Sequence, residues 1–155
     1  VYVPNGKNLE HEDYQRKLKW YDDLQRFLVD TFDAGDPLVL CGDFNICPTP
    51  LDSHGGEGAD GNIFHTTAER DRVTTLLGWG LTDLYRQLHP DEQTFSWWDY
   101  RAGAFPRNRG LRIDFLLGTP AIRERVLHVE TDRDYRKKKD ELSASDHAPV
   151  LADLR

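Results

Sequence analysis

Methionine is absent from the 155 residues, and cysteine occurs only twice. Two cysteines cannot build a disulfide framework, and Cys41 and Cys47 do not form a Cys-x-x-Cys pair. A reducing, cytoplasmic setting fits this usage best. No apolar run approaches the ~20 residues that span a bilayer, and no basic-then-apolar start resembles a signal peptide, so no membrane partner is expected. An excess of positive charge is missing too. Twenty basic residues face 27 acidic ones, giving a formal net charge of −7. That balance speaks against a wholly basic nucleic-acid binder, whose affinity comes from phosphate neutralisation. It leaves room for an enzyme with an acidic, metal-holding centre and a local basic rim. Several catalytic signatures are also absent. There is no Gly-x-Ser-x-Gly elbow, and Ser145-Asp146-His147 are consecutive, so they cannot form a triad. The glycines of 54–58 lack the Lys-Ser/Thr of a phosphate-binding loop. Cys41, Cys47, His54 and His65 lack zinc-site spacing.

What is present reads as one globular domain over residues 1–155, with 38% apolar and 11% aromatic residues. The missing Met and an opening on Val1-Tyr2-Val3, which reads as a strand, lead us to expect a piece of a longer chain. Tyr14, Leu18, Tyr21, Leu24, Phe27, Leu28 and Phe32 recur at helical spacing and predict an amphipathic helix from about Glu10 to Phe32. Leu38 to Cys41 is a short apolar run that predicts a strand buried on both faces. Residues 46–65 are rich in Pro, Gly, Asp and His and read as a long surface loop. Thr66-x-x-Glu69 is a capping box that opens a helix ending at Gly78.

Further on, Leu81 to Tyr85 reads as a short element, and Thr94 to Tyr100 is β-prone. Ile113 to Leu117 reads as a strand, and Thr119-Pro120 starts a short helix. Val126 to Thr131 and Ala148 to Leu154 read as two more strands, separated by a charged excursion over 133–141. Strands and helices mix along the whole length, so the class is α/β or α+β, around one mixed sheet.

Three carboxylates share one design. Asp43 follows the strand at 38–41, Asp114 sits at the mouth of the strand at 113–117, and Asp146 leads into the last strand. Taken singly, each reads as readily as a turn or cap residue. Together, with Asn45 and His147, they read as groups converging at one sheet edge, where oxygen ligands suit Mg²⁺ or Mn²⁺. His147 is the candidate proton donor or phosphate contact. Neighbours on a strand point to opposite faces, so Asp146 should not orient it, and Asp114 is the choice for that role. Trp97-Trp98, Tyr100, Arg101, Phe105, Arg107, Arg109 and Arg112 place aromatics beside a basic rim. That suits a nucleic-acid backbone with an unstacked position, although core tryptophans beside a solvated loop would look the same. Lys137–Lys139 reads as a solvated loop.

Gly42-Asp43-Phe44-Asn45, Asn108 to Asp114 and Ser145 to Val150 resemble the exonuclease–endonuclease–phosphatase superfamily. Within it the chain is similar to the exonuclease III-like apurinic/apyrimidinic endonucleases. Tyr2 to Gly6, Gly78 to Asp83 and Phe95 to Arg101 extend the resemblance along nearly the whole chain. The resemblance implies a DNase I-like four-layer α–β–β–α sandwich of two similar halves. Residues 1–155 would be the C-terminal half, with no segment matching the N-terminal half or the metal-binding Glu and the Asn that half carries.

The same resemblance implies roles. Tyr2 would be the active-site tyrosine, Asp43 the proton acceptor or donor, and Asn45 the transition-state stabiliser. Asp114 would orient the histidine, and His147 would contact phosphate. Asp43, Asn45, Asp146 and His147 are the metal-ligand candidates. Trp97 and Leu111 would wall the pocket for an abasic sugar, and Asn5, Arg101, Arg109 and Arg112 would contact DNA. The implied reaction is metal-dependent hydrolysis of DNA 5′ to an abasic site, with 3′–5′ exonuclease and 3′-phosphatase activity. The implied partner is double-stranded DNA with abasic sites or 3′ ends. Two other readings stand beside it: a catalytically inactive DNA-binding half-domain, and a phosphoesterase acting on a non-DNA phosphate. An inner sheet face without its partner sheet would be covered by an N-terminal half or a second copy of the chain.

Overall fold

A computed structural model describes residues 1–137 and 142–155. Lys138 and Lys139 of the basic triplet, and the end of the charged excursion, lie outside the described residues.

The first helix, α1 (Glu12–Thr31), starts where His11 Nδ1 accepts the backbone N–H of Asp13. Its apolar stripe buries Tyr14, Leu18, Tyr21, Leu24 and Leu28. Strand β1 (Val39–Asp43) follows, and the long loop after it contains 3₁₀ turns at Pro50–Asp52 and Gly56–Ala59. Thr66 caps α2 (Thr67–Trp79) in the predicted capping box, and the helix stops at Gly80 rather than Gly78. The region from 81 divides into β2 (Thr82–Asp83) and α3 (Leu84–Leu88). Strand β3 (Asp114–Gly118), α4 (Pro120–Arg123), β4 (Val126–Thr131) and β5 (Val150–Leu154) complete the described elements. The chain is therefore a mixed α/β fold with antiparallel ladders.

Four expectations need correction. The single sheet is divided into two hydrogen-bonded ladders, β1-β3-β2 and β4-β5. They abut around the cluster of Leu84, Tyr85, Ile122 and Val129, against which Leu116, Val150 and Ala152 all pack. Among the described residues the parallel component is a single bridge, Tyr2 to Asp43, so residues 1–3 are not a full strand. The β-prone segment 94–100 forms no strand. Trp97 bridges Leu111 on one side and His147 on the other. Finally, β1 and β3 are not buried on both faces. Leu40, Phe115 and Leu117 are buried against α1 and α2 in one core with Tyr21, Leu28, Val73 and Leu76. Val39 and Cys41, on the opposite face, are exposed. Helices α1 and α2 cover one face, α3 and α4 meet the other only beside Leu116 and Gly118, and a continuous apolar run does not say which face is left open.

One glycine is required by close approach. A Cβ on Gly110 would lie 2.5 Å from Trp98 Nε1 and 2.8 Å from the Trp97 carbonyl. The chain can pass there only without a side chain. This brings the 108–113 segment against Trp97 and so next to the strand ends that carry the acidic residues.

Candidate active site

The antiparallel register of β1 and β3 sets Asp43 directly opposite Asp114. Like charges so placed repel, and each needs a separate compensating partner. Asp43 finds its partner in Asn45. Asp43 Oδ1 accepts the Asn45 backbone N–H at 2.9 Å, and Oδ2 accepts Asn45 Nδ2 at 3.0 Å. Asp114 finds its partner in His147, with Oδ2 2.9 Å from Nδ1. The same oxygen accepts Ser96 Oγ at 2.6 Å. Asp146 points elsewhere, accepting Trp97 Nε1 at 3.0 Å. The histidine is thus oriented by the distant carboxylate and not by its neighbour; both Asp146 and His147 precede β5, so strand alternation is not what separates them.

Burial pushes the Asp43 carboxyl up to about 6, and the Asp114 charge adds to the rise against the lowering effect of the Asn45 N–H. For His147, burial works against the charged form. The bond to Asp114 and the charges of Asp114, Asp43 and Asp146 overcome it and hold the imidazole above its ordinary value. A carboxylate near its titration point beside a histidine that favours its proton is an acid–base pair poised for neutral pH.

These groups open into a cleft of about 410 Å³. Tyr2, Asn5, Asp43, Asn45, Trp97, Arg101, Asp146 and His147 line it, together with Lys7, Ile63, Phe64, Asp99 and Ile113. Lys7, Asn45 and Phe64 all have positive φ without being glycine, at 58°, 49° and 71°. Such conformations are costly for a lysine or a phenylalanine and cluster at functional sites.

Other sequence candidates fall outside the cleft. Arg112 is only 2% exposed and cannot be a DNA contact of the surface rim. Its Nε bonds Asp52 Oδ1 at 2.7 Å, and its Nη2 bonds Asp83 Oδ2 at 2.7 Å. Leu111 is buried with Cys47 and Ile113, packs against Trp97, and is not part of the cleft lining. Arg109 is exposed but does not line the cleft. Trp98 is fully buried with Phe95 and Ala148. Arg101 lines the cleft but is held by Asp99, through its Nε at 3.0 Å and its Nη2 at 2.8 Å.

Asn45 departs from its implied role. It is 3% exposed, and its Nδ2 donates to both the Val3 carbonyl (2.9 Å) and Asp43. Both amide hydrogens are engaged, so in this geometry Asn45 holds Asp43 and presents no N–H to the cleft. Ser96 escaped the sequence reading. Fully buried, it receives the backbone N–H groups of Ile113 and Asp114 while donating to the Asp114 carboxylate. A small hydroxyl residue between Phe95 and Trp97 was the available signal.

Asp43 and Asp146 have the hard-oxygen chemistry of a divalent-cation site. Among the described residues, however, no group of three His, Cys, Asp or Glu residues is placed to hold a metal ion. The residues present do not complete such a site. Cys47 is buried, which pushes its thiol up, and Cys41 is exposed; both are free thiols. No helix of the described residues is long and apolar enough to cross a membrane.

Comparison with known proteins gives a consistent result. The family model described as Endonuclease/Exonuclease/phosphatase family matches residues 3–147. Exodeoxyribonuclease III of Haemophilus influenzae is 36% identical over 99% of this chain and 60% of its own length. An exodeoxyribonuclease of Bacillus subtilis is 33% identical over 97% of this chain and 56% of its own. Among solved structures, a 3′ phosphatase from Neisseria bound to a product DNA hairpin superposes with a TM-score of 0.93 at 37% identity, over all of this chain and 59% of that one. An AP endonuclease from Archaeoglobus fulgidus gives 0.92 at 34% identity, over 99% and 59%. The chain thus spans about 60% of the length of these relatives. It belongs to the endonuclease/exonuclease/phosphatase family.

Proposed function

We propose that the chain serves a DNA repair nuclease that hydrolyses the phosphodiester 5′ to an abasic site, with 3′–5′ exonuclease and 3′-phosphatase activity. In this reading residues 1–155 form one half of the family's four-layer sandwich and work in the cytoplasm. The observation that carries the proposal is the paired arrangement Asp114–His147 and Asn45–Asp43 at the floor of a cleft walled by Trp97. Similarity to exodeoxyribonuclease III and to structures of an AP endonuclease and a 3′ phosphatase supports it.

The residues divide the work. Asp43, titrating at about 6, takes the proton of the attacking water as its oxygen bonds phosphorus and the P–O3′ bond breaks, and the departing O3′ takes a proton from solvent to leave the 3′-hydroxyl. His147, its proton favoured and its ring locked by Asp114, donates to a non-bridging phosphate oxygen and stabilises the charge that grows there. Trp97 and Ile113 offer an apolar wall to a base-free sugar, and Arg101 and Lys7 lie where the flanking phosphates would pass. An abasic nucleotide leaves the duplex at small cost because it has no base to unstack. No step is routed through a metal ion. Metal dependence of Mg²⁺ or Mn²⁺ type would draw on ligands beyond those gathered here.

The incomplete cation site favours a second reading, in which the chain binds abasic DNA without cutting it. One experiment addresses both. A duplex with a single tetrahydrofuran abasic analogue is incubated with the chain and Mg²⁺, and products are resolved by end group. Cleavage leaving a 3′-hydroxyl, lost in Asp43→Asn and His147→Ala, supports the nuclease reading. Cleavage that survives both substitutions overturns the assigned roles. Tight binding without cleavage replaces the nuclease by the binding module.

A further inference from the structure

Lys17 is an anomaly of the apolar stripe of α1. It sits among Tyr14, Leu18 and Tyr21, where an aliphatic residue would serve the core, and its side chain is 0% exposed. Its ammonium donates to Glu69 Oε1 at 2.5 Å, to the Asn45 carbonyl at 2.6 Å and to the Asn5 carbonyl at 3.4 Å. It also lies 4.6 Å from the centre of the Phe64 ring. Glu69, equally buried, spends Oε1 on the Phe64 backbone N–H (3.2 Å) and Oε2 on the Thr66 N–H and hydroxyl (3.1 and 2.8 Å).

Asn5, Asn45 and Phe64 come from three separate segments, and all three line the cleft. Two of them, Asn45 and Phe64, hold left-handed backbone conformations that relax unless the surroundings enforce them. Tyr21 adds a bond from the same helix face, its hydroxyl reaching the Phe44 carbonyl at 2.5 Å. A buried ion pair is a poor device for stability alone, because apolar replacements of similar volume are often neutral or stabilising. Burial pulls the Lys17 ammonium below its ordinary value, and the Glu69 charge works to keep it protonated.

We propose that Lys17 and Glu69 form a positioning pair beneath the cleft, which sets the Asn5, Asn45 and Phe64 segments against one buried charge and, through Asn45, fixes the Asp43 carboxylate. The catalytic consequence rests on the nuclease reading above. The geometric consequence does not, and the test separates the two.

The variant is Lys17→Met with Glu69→Gln in the full chain, which removes both charges together and keeps one acceptor oxygen, for either the Phe64 N–H or the Thr66 cap. Cooperative unfolding should persist. Amide hydrogen exchange followed by NMR should show the Asn45 N–H, which donates to Asp43, exchanging at least about tenfold faster, with α1 and β3 unchanged. On abasic DNA, kcat should fall by about 10- to 100-fold with KM within about threefold, the mark of lost orientation. Unchanged Asn45 exchange overturns the proposal. So does a change confined to KM. If the parent chain cuts no DNA, the nuclease reading fails, and Asn45 exchange alone decides the positioning role. Should the double variant not fold, Lys17→Met alone carries the test. It removes the ammonium while Glu69 keeps its bonds to Phe64 and Thr66, and faster exchange at Asn45 is again the supporting result and unchanged exchange the refuting one.

Discussion

Arg112→Met tests whether a basic residue in an arginine-rich stretch is a surface contact or a structural charge. The structure decides for the second. Arg112 bridges Asp52, which is 0% exposed, and Asp83, while Arg86 Nη2 reaches Asp52 Oδ1 at 2.8 Å. Two arginines and two aspartates form a neutral cluster that offers no field to a phosphate. The guanidinium also lies 4.5 Å from the centre of the Phe115 ring and 5.4 Å from that of Tyr85, so its stem is part of the packing. Methionine keeps most of that volume and removes the charge. Asp52 is left with Arg86, and Asp83 loses both bonds from the guanidinium. Breaking a buried pair on one side costs about 3–5 kcal/mol. For a chain of this size each kcal/mol moves Tm by about 2–4 °C, so the loss should be roughly 10 °C.

The assay is thermal unfolding by circular dichroism, paired with DNA binding by fluorescence anisotropy at fixed salt, well below the variant's Tm. Arg112→Met should lower Tm strongly and leave DNA affinity unchanged. Arg101→Ala, at an 87% exposed side chain on the cleft rim, should do the reverse. Its Tm should stay within about 2 °C, and the salt dependence of binding should weaken by about one phosphate contact. An Arg112 variant with unchanged Tm and weakened DNA binding would refute the structural reading.

Three further outcomes follow from the site. Asp114→Asn removes the anion that favours the His147 proton, so the imidazole titration seen by NMR should move down; an unmoved titration would mean that Asp114 does not set it. Asp43 is held above its unfolded value, so its contribution to stability is fully present below the ordinary carboxylate range and is lost as pH rises through about 6. His147, also raised, acts in the same direction from its ordinary value upward. Discounted for partial exposure, the Asp43 effect is on the order of 1 kcal/mol. Wild type should therefore gain stability relative to Asp43→Asn as pH falls from about 7 to about 4, and parallel curves would contradict this. Mg²⁺ should bind the chain only in the millimolar range, because no three candidate ligands converge among the described residues; micromolar binding by calorimetry would count against that.

How far such a site can be read from a linear sequence depends on whether each residue's role is local. The helix α1 and the cap at Thr66 are local devices, a 3.6-residue period and a Thr-x-x-Glu spacing, and both were legible. The convergence of Asp43, Asp114 and His147 was legible for a related reason. Strand ends gather at sheet edges, while Asp146 is kept from His147 by its bond to Trp97 and not by strand alternation, because both residues precede β5. What escaped depends on long-range contacts that carry no spacing signal. Arg112 looked like its neighbours Arg107 and Arg109, and Asp52 and Asp83, 60 and 29 residues away, distinguish it. The β-prone stretch at 94–100 satisfies its backbone through single bridges to two other segments, so propensity named the conformation but not a strand. Glu69 was visible only as a capping residue, although the same carboxylate also faces Lys17, 52 residues earlier. Lys17 did leave a mark, as a charge on the apolar face of a helix. A buried charge must find a partner, so a lysine in such a stripe predicts a buried acid nearby even when the sequence does not say which. Here that acid already capped the helix leading away from the cleft, and one carboxylate came to serve both the fold and the floor of the site.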